Sequence, residues 1–517
     1  MTLLTLSRTV GQMATSGELT QLLHAGINRA RTRVYQVAPP TPLQTMVVDG
    51  REVWVKREDL GPIKAYKWRG AFNAVAALSP EERAKGIVAA SAGNHAQGIA
   101  IAANRLGCEA SIFMPKPTPE VKRASVLSYG GDRIEIHLVG DSYSETQEAA
   151  MAYAEERGGV FIPPYDSIDV MAGQGTLADE IVMHADGPFD RVYVAVGGGG
   201  IAAAVSTWIK SFWPDCKVIG VEGVGQASMK AAFEAGKPVP LDYVDIFCDG
   251  TAVAQVGDLT YPICRENLDE IVTVTNDEVS EAIKMHWDTI RVIPEPSGAL
   301  SLAGLEKQSR EGKIGSDEKC VTILCGANMD FAQLAQISRQ AGLAARRDHS
   351  WRFAIPEKPG ALVDLLESLP TGVSIYDLQY GRTETEKQYP VLRLVAPEGE
   401  QAAFETWLRD NRPLTENVSD SPEARYRVIP FSPALFTAPW FIEVEFPERA
   451  GALREFMREV RGHASLCYFN YTYSGERVGR ALLGLDFDSE EARTKGISSL
   501  RSLEGKSLRS LREVSGV

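Results

Sequence analysis

Four short motifs in this chain carry residues able to do chemistry, and the first centres on a lysine. Lys67 lies between Val53-Trp-Val-Lys-Arg-Glu-Asp59 and Arg69-Gly-Ala71, at the start of a helix-like stretch rich in small residues (Gly70, Ala71, Ala74, Ala76 and Ala77). Most lysines are solvated surface charges, and local context alone favours that reading by several to one. Only its neighbours in space can turn the amine into a nucleophile or a base.

The second motif, Ala89-Ala-Ser-Ala-Gly-Asn-His-Ala-Gln-Gly98, joins a β-rich run to an alanine-rich helix that reaches Leu106. A helix N-terminus attracts anions, and Ser91, Gly93, Asn94 and His95 place small or polar groups where a carboxylate could sit. Plain capping by Ser or Asn accounts for one polar residue but poorly for the cluster, so the two readings stand level. The third motif, Gly197-Gly-Gly-Gly200, follows the strand-like Val192 to Val196 and precedes an apolar helix from Ile201 to Trp213. Four glycines leave the backbone amides unobstructed, so a phosphate could meet N–H groups and the positive end of the helix dipole without a lysine. Glycine-rich turns are common; the place after a strand and before a helix gives this one its meaning. Fourth, the run Val321-Thr-Ile-Leu324 ends in Cys325-Gly-Ala-Asn328. Ligands sit at strand C-termini in open parallel sheets. Taken alone, Cys325 reads as an inert buried thiol.

The scaffold that must position these motifs is legible between about Arg51 and Leu324. Short β-rich runs (Gly86 to Ala90, Ala110 to Met114, Ile134 to Val139, Arg191 to Val196, Val218 to Val221) alternate with helix-like runs, which predicts α/β architecture with helices on both faces of parallel sheet. From Gly342 to Asp348 the rhythm is lost and the chain reads as a linker. Beyond it lies an internal repeat: Pro356-Glu-Lys-Pro-Gly-Ala361 recurs as Pro447-Glu-Arg-Ala-Gly-Ala452. Alternating apolar residues precede each copy (Trp351, Phe353, Ile355; Ile442, Val444, Phe446), and an apolar helical face follows each. Each copy is thus a strand–loop–helix unit. A duplicated module that merely packs subunits would look the same. A glycine just before a helix, however, lets backbone N–H groups approach a small anion, so each loop could cradle an amino-acid carboxylate.

Composition narrows the field. A chain of 517 residues exceeds one ordinary core, so a large catalytic region and at least one further domain are expected. Hydrophobic content of 44% and charged content of 24%, without an apolar stretch of bilayer-spanning length, argue against a membrane role. The net charge of −14 and the lack of basic runs interleaved with aromatics argue against nucleic acid. Seven scattered cysteines without a C-x-x-C pair point to a reducing compartment, the cytoplasm. Residues up to Gly17 lack acids and hold a single arginine, which reads as a flexible leader.

Taken together, Lys56-Arg-Glu-Asp59, Tyr66-Lys-Trp-Arg-Gly-Ala71, Ser91-Ala-Gly-Asn-His-Ala-Gln-Gly98, Gly197-Gly-Gly-Gly-Ile201, Glu295-Pro-Ser-Gly-Ala299 and Cys325-Gly-Ala-Asn328 closely resemble, in order and spacing, the pyridoxal-phosphate (PLP) dependent serine/threonine dehydratases of fold type II. The duplicated module resembles the paired ACT-like regulatory domains of the biosynthetic threonine dehydratases, so the resemblance runs from about Arg29 onward. It implies a two-lobed catalytic domain of the tryptophan synthase β type, followed by two α+β regulatory domains. Expected boundaries are a flexible leader over 1–28, the catalytic domain over 29–345, a linker over 346–349, and regulatory domains over 350–430 and 438–517.

Carried over residue by residue, the resemblance makes Lys67 the Schiff-base lysine and the base that takes the substrate's α-proton. Asn94 becomes the contact to the pyridine hydroxyl, and Gly197, Gly198, Gly199, Gly200 and Ile201 the phosphate loop. Ser91, Gly93, Asn94 and His95 form the substrate-carboxylate loop, and Cys325 stands opposite the ring nitrogen. It implies L-threonine as substrate with L-serine secondary, no metal in the site, and a homotetramer. Isoleucine would inhibit at the loops holding Glu357, Gly360, Glu448 and Gly451, with valine opposing it. Two positions depart from the pattern: Ala65 stands where relatives commonly carry Ser, and Ala92 where racemases of this fold place the serine that delivers a proton to the opposite face. Racemisation is therefore disfavoured. Two other readings stay open on sequence alone. One is a dehydratase acting mainly on serine; the other is an amino-acid sensor that keeps an inactive PLP fold, against which the intact Lys67, Asn94 and glycine loop argue.

Overall fold

The computed structural model describes residues 15–330 throughout and, beyond them, chiefly 348–356, 368–370, 373–379, 387–389, 391–396, 398–411, 415–419, 421–422, 437–447, 464–471, 478–505 and 508–514. The chain forms two compact units, Met1–Asp330 and Phe331–Val517.

Against the expectation of a flexible leader through residue 28, residues 16–28 lie in a regular helix, α1 (Ser16–Val34). Two local signals build it. Thr15 and Glu18 form a reciprocal capping box, and Leu19, Leu23, Ile27, Ala30 and Val34 make one buried stripe. The acid-free composition up to Gly17 masks a periodicity that starts just behind it.

Two sheets share the rest of the first unit. The chain enters the larger one with β1 (Leu43–Val48) and β2 (Arg51–Arg57), then leaves it along α2 (Trp68–Ala77). It builds the smaller sheet from β3 (Ile87–Ala90), α3 (Asn94–Leu106), β4 (Ala110–Met114), α4 (Glu120–Gly130), β5 (Ile134–Leu138), α5 (Tyr143–Arg157) and β6 (Val160–Phe161). It returns along α6 (Ile168–His184) to β7 (Arg191–Ala195), α7 (Gly200–Phe212), β8 (Lys217–Gly223), α8 (Ser228–Ala235), α9 (Thr260–Asn267), β9 (Glu270–Val274), α10 (Asn276–Ile290), α11 (Pro296–Arg310) and β10 (Cys320–Leu324). The small sheet has order β5-β4-β3-β6 and is parallel throughout; the large one has order β1-β2-β10-β7-β8-β9, with only β1 antiparallel. Every residue of β3, β7 and β10 is buried, as strands covered on both faces require.

The outgoing and returning helices touch backbone to backbone. A Cβ on Gly70 would lie 2.5 Å from the Val170 carbonyl oxygen, and one on Gly173 would lie 2.4 Å from that of Arg69. Beside this crossing sits a buried quartet of charges. Arg69 reaches both Glu58 (2.8 Å) and Glu180 (2.6 Å), and Lys56 reaches Glu180 at 2.5 Å. Burial opposes ionisation of Glu180, but Arg69 and Lys56 together outweigh it and hold its carboxyl below the usual range. Burial also pulls on the Arg69 guanidinium, yet Glu58 and Glu180 push it further up. For Lys56 burial wins, and its ammonium is lowered.

The second unit holds two four-stranded antiparallel sheets with helices. The first contains β11 (Asp348–Phe353), β12 (Ser374–Gln379), β13 (Val391–Val395), α12 (Gln401–Asp410) and β14 (Thr415–Asn417), with order β12-β13-β11-β14. The second contains β15 (Ala438–Pro447), β16 (Ser465–Tyr471), β17 (Val478–Phe487), α13 (Glu490–Arg501) and β18 (Ser510–Glu513), with order β16-β17-β15-β18. Phe353, Ile355, Ile442, Val444 and Phe446 are buried in the two cores. Strand β11 begins inside the stretch expected as linker, because Asp348 and His349 pair with Val395 and Leu394 through their backbones, whatever their side chains.

Candidate active site

Lys67 is placed by strand β10, far away in sequence. The Tyr66 N–H donates to the Cys325 carbonyl (3.0 Å), the Ala327 N–H donates to that of Lys64 (2.8 Å), and Ala65 bridges Gly326. Pinned there, Lys67 caps the start of α2 and directs its Nζ to the Gly250 carbonyl oxygen at 2.6 Å.

Helix α3 brings the second motif alongside. A Cβ on Gly98 would stand 2.8 Å from Ala71 Cβ and 2.9 Å from Trp68 Cα, so α3 presses directly on the first turn of α2. The loop Ser91–Gly93 and the first residues of α3 therefore lie near the lysine, at a helix N-terminus. Ser91 Oγ accepts the Gly93 N–H at 3.2 Å, and Asn94 Nδ2 donates to Glu295 Oε1 at 2.8 Å. His95 is buried with Nε2 3.0 Å from the Ile162 carbonyl oxygen. Burial, reinforced by the Lys67 charge, pulls its pKa down to about 4, so the ring is neutral at ordinary pH.

The glycine loop closes the site from the large sheet. Gly197 to Gly200 run from the end of β7 into α7, with Gly199 at φ +93°. Side chains here would collide: a Cβ on Gly198 would lie 2.3 Å from the Tyr165 ring, and one on Gly197 would lie 2.8 Å from the Thr251 carbonyl oxygen. Thr260 Oγ1 donates to the Gly198 carbonyl oxygen at 2.6 Å, fixing the turn from behind. Gly197 thus abuts Thr251, while the neighbouring Gly250 receives the Lys67 amine, and Ile201 lies buried in the first turn of α7. Cys325 is buried, with Sγ 3.3 Å from the Ser297 carbonyl oxygen, and burial pushes its thiol far up, Glu295 adding to the effect. Glu295 is itself lifted to about 7 by burial and Asp249, against the pull of Lys67 and Lys122. Lys122 and Asp249 form an ion pair with each other at 2.5 Å.

An amine, a neutral loop of a size to take a carboxylate and a glycine cradle at a helix N-terminus can hold an amino acid and a phosphorylated carbonyl compound side by side. Residues 34–326 match the family of pyridoxal-phosphate dependent enzymes, and residues 438–510 match the C-terminal regulatory domain of threonine dehydratase. Among curated relatives, the biosynthetic L-threonine dehydratase of Pasteurella multocida (strain Pm70) is 37% identical over 476 residues, covering 89% of this chain and 90% of that one.

The chain belongs to the biosynthetic threonine dehydratase family.

The corresponding dehydratase of Escherichia coli (strain K12) is 36% identical over 470 residues, covering 89% of this chain and 90% of its own. Among solved structures, the processed form of threonine deaminase isoform 2 from Solanum lycopersicum has a TM-score of 0.60 at 42% identity, covering 64% of this chain and 90% of that one. The cofactor of threonine dehydratases, PLP, suits the residues present. A Cβ at Gly197 or Gly198 would meet Thr251 or the Tyr165 ring, so only glycine fits this turn, and it leads into the N-terminus of α7, where backbone N–H groups can receive a phosphate.

Backbone contacts and helix packing bring the expected residues Lys67, Cys325 and the Ser91–His95 loop into one neighbourhood, and Lys67 reaches Gly250 beside the Thr251 that Gly197 abuts. The expected allosteric residues Glu357, Gly360, Glu448 and Gly451 lie outside the described residues. Sequence reasoning missed the Gly250 carbonyl and Tyr165, which carry no motif. It quoted Glu295 and Asn328 within motifs without assigning a role to either. Among the described residues no helix is long and apolar enough to cross a membrane, and no group of three or more His, Cys, Asp or Glu could hold a metal ion.

Proposed function

We propose that this enzyme deaminates L-threonine to 2-oxobutanoate and ammonia, accepts L-serine secondarily, and is inhibited by isoleucine through its C-terminal domains. The observation that carries the chemistry is the Lys67 amine on the Gly250 carbonyl, beside the Thr251 that the glycine turn abuts, with the Ser91–His95 loop at the head of the helix packed on α2. Lys67 would hold PLP covalently through Nζ, with Gly197 to Ile201 on its phosphate, Asn94 on its ring hydroxyl and Cys325 opposite its ring nitrogen. When bound, the cofactor supplies an electron sink for the charge left at the substrate's α-carbon.

The chain's own groups do the rest. Ser91, Gly93, Asn94 and His95 receive the substrate carboxylate at the start of α3, and the neutral His95 ring adds no charge that would overbind it. Lys67, once its amine is released, takes the α-proton, and the Gly250 carbonyl that accepts its hydrogen bond aims it. The Cys325 thiol keeps its proton, so it lends no negative charge to the ring nitrogen. Beta-elimination suits so mild an arrangement, because the β-hydroxyl leaves as the α-proton is lost. Ala92 leaves the opposite face without a proton donor, which favours elimination over racemisation.

Isoleucine would bind at the loops around Glu357 to Gly360 and Glu448 to Gly451, with valine opposing it, in a cytoplasmic homotetramer. A threonine deamination assay with and without isoleucine tests chemistry and control together. Serine preferred tenfold by kcat/KM would sink the substrate assignment. A chain ended after Arg347 should stay active and lose its response to isoleucine; continued inhibition would sink the regulatory one.

A further inference from the structure

The side-chain amide of Asn94 is held from both ends. Its Oδ1 accepts an N–H of Asn328 at 2.7 Å, and its Nδ2 donates to Glu295 Oε1 at 2.8 Å. The Asn328 end cannot reverse. Asn328 Nδ2 also faces the Ile63 carbonyl oxygen at 2.5 Å and Gln97 Oε1 at 3.0 Å; a backbone carbonyl only accepts, so the nitrogen of Asn328 must stay on that side. Glu295 is fixed by its backbone, whose N–H donates to the Gly326 carbonyl at 3.1 Å and whose carbonyl accepts from Gly298 at 2.7 Å. Its Oε1 fills the space where a Cβ on Gly326 would lie, 2.4 Å away.

An amide nitrogen carries two hydrogens, and Glu295 takes one. We propose that Glu295 and Asn328 are positioning residues that lock Asn94 in the flip presenting a donor, and no acceptor, to the ring hydroxyl oxygen of the cofactor. This rests on the reading of Asn94 as the contact to that oxygen. A donor there favours the oxygen in its ionised form, and the opposite flip would favour the protonated one. The motif Glu295-Pro-Ser-Gly-Ala299, which holds none of the expected site residues, thereby acquires a function, since its buried carboxylate sets what another residue offers.

The test uses the full-length, cofactor-loaded enzyme and reads the near-visible absorbance of the cofactor, kcat/KM and far-ultraviolet circular dichroism. Asn94→Ala removes the contact, Glu295→Met removes the acceptor at similar volume, and Glu295→Gln keeps an acceptor. Asn94→Ala and Glu295→Met should both move absorbance from the near-visible band toward the near ultraviolet, and the double variant should move no further than Asn94→Ala alone. Glu295→Gln should keep the wild-type band. In Glu295→Met, kcat/KM should fall by about tenfold or more, the size of one lost charge-assisted hydrogen bond. A shifted band in Asn94→Ala with a wild-type band in folded Glu295→Met overturns the role of Glu295 and leaves that of Asn94 standing. An unmoved band in Asn94→Ala overturns both. Should Glu295→Met fail to fold, Asn328→Ala makes the same comparison from the other end of the amide, and a wild-type band there overturns the proposal.

Discussion

Replacing Glu180 by Gln should cost the catalytic unit about 3–5 kcal/mol, because it leaves a buried positive charge uncompensated. The quartet Lys56, Glu58, Arg69 and Glu180 is neutral, and each of its side chains is at most 1% exposed. Glu180 hydrogen-bonds both cations, Lys56 at 2.5 Å and Arg69 at 2.6 Å, whereas Glu58 reaches Lys56 only at 4.0 Å, and Glu180 also accepts the Thr41 N–H at 3.0 Å. Lys56, the Thr41 N–H and Arg69 Nη2 share Oε2, so a glutamine oxygen can keep those bonds, but its NH2 group then faces Arg69 Nη1 and the negative charge is gone. With an unfolding entropy of about 2.1 cal/mol/K per residue, a unit of about 330 residues should melt about 4–7 °C lower. Tryptophan fluorescence of the loaded enzyme follows the transition, and buried Trp68 lies under the Arg69 guanidinium at 5.3 Å. Lys56→Met combined with Glu180→Gln restores neutrality and should recover more than half of the loss. The pH dependence has a definite sign. A lysine lowered by burial costs stability while protonated, and the cost shrinks as pH rises through its folded pKa, so the Glu180→Gln deficit should narrow as pH rises toward the ordinary lysine range. A deficit below about 1 kcal/mol, or a double variant no better than Glu180→Gln, would refute the reasoning.

Two further outcomes are expected. Gly198→Ala puts a methyl 2.3 Å from the Tyr165 ring; overpacking of about 1–3 kcal/mol should weaken PLP binding about tenfold or more in a cofactor titration, and Tyr165→Ala in the same chain should restore most of it. Wild-type affinity in Gly198→Ala would show that the loop yields. His95, held neutral with its pKa at about 4, contributes stability that is present above about pH 6.5 and lost as pH falls toward 4, by about 3 kcal/mol at most. His95→Asn should flatten the acid side of a stability-against-pH curve by one proton, leaving the similar share of buried His286. Identical slopes would exclude His95 as the group responsible.

Legibility in the sequence followed the range of the interaction. The glycine loop and the Ser91–His95 loop were readable because strand, turn and helix are contiguous there, and each motif sits where its own neighbours put it. The meeting of Lys67 with Cys325 was not readable from either motif, because it is made by backbone bonds from Lys64 and Tyr66 to the end of β10. Only the ensemble of motifs pointed to it. The Gly250 carbonyl left no trace, since a backbone oxygen is the same in every residue. Helix α1 was overlooked because composition was weighed where the Thr15/Glu18 box and a heptad-like apolar stripe decide. Strand β11 starts at Asp348 for the converse reason: pairing with Val395 is a backbone matter that polar side chains conceal.

The crossing of α2 and α6 bears on how the two sheets are joined. The small sheet is an insertion that leaves the large one once and returns once, and both passages meet where Gly70 and Gly173 let the backbones touch. Both connections of the small lobe are therefore anchored at a single place. Lys67 lies beside it, tied by its predecessors to β10. The Ser91–His95 loop belongs to the small lobe, and Asn94 ties it back to Glu295 and Asn328. The lysine is thus fastened to the large sheet by backbone, which no substitution deletes, and the carboxylate loop by side chains, which a single substitution can release.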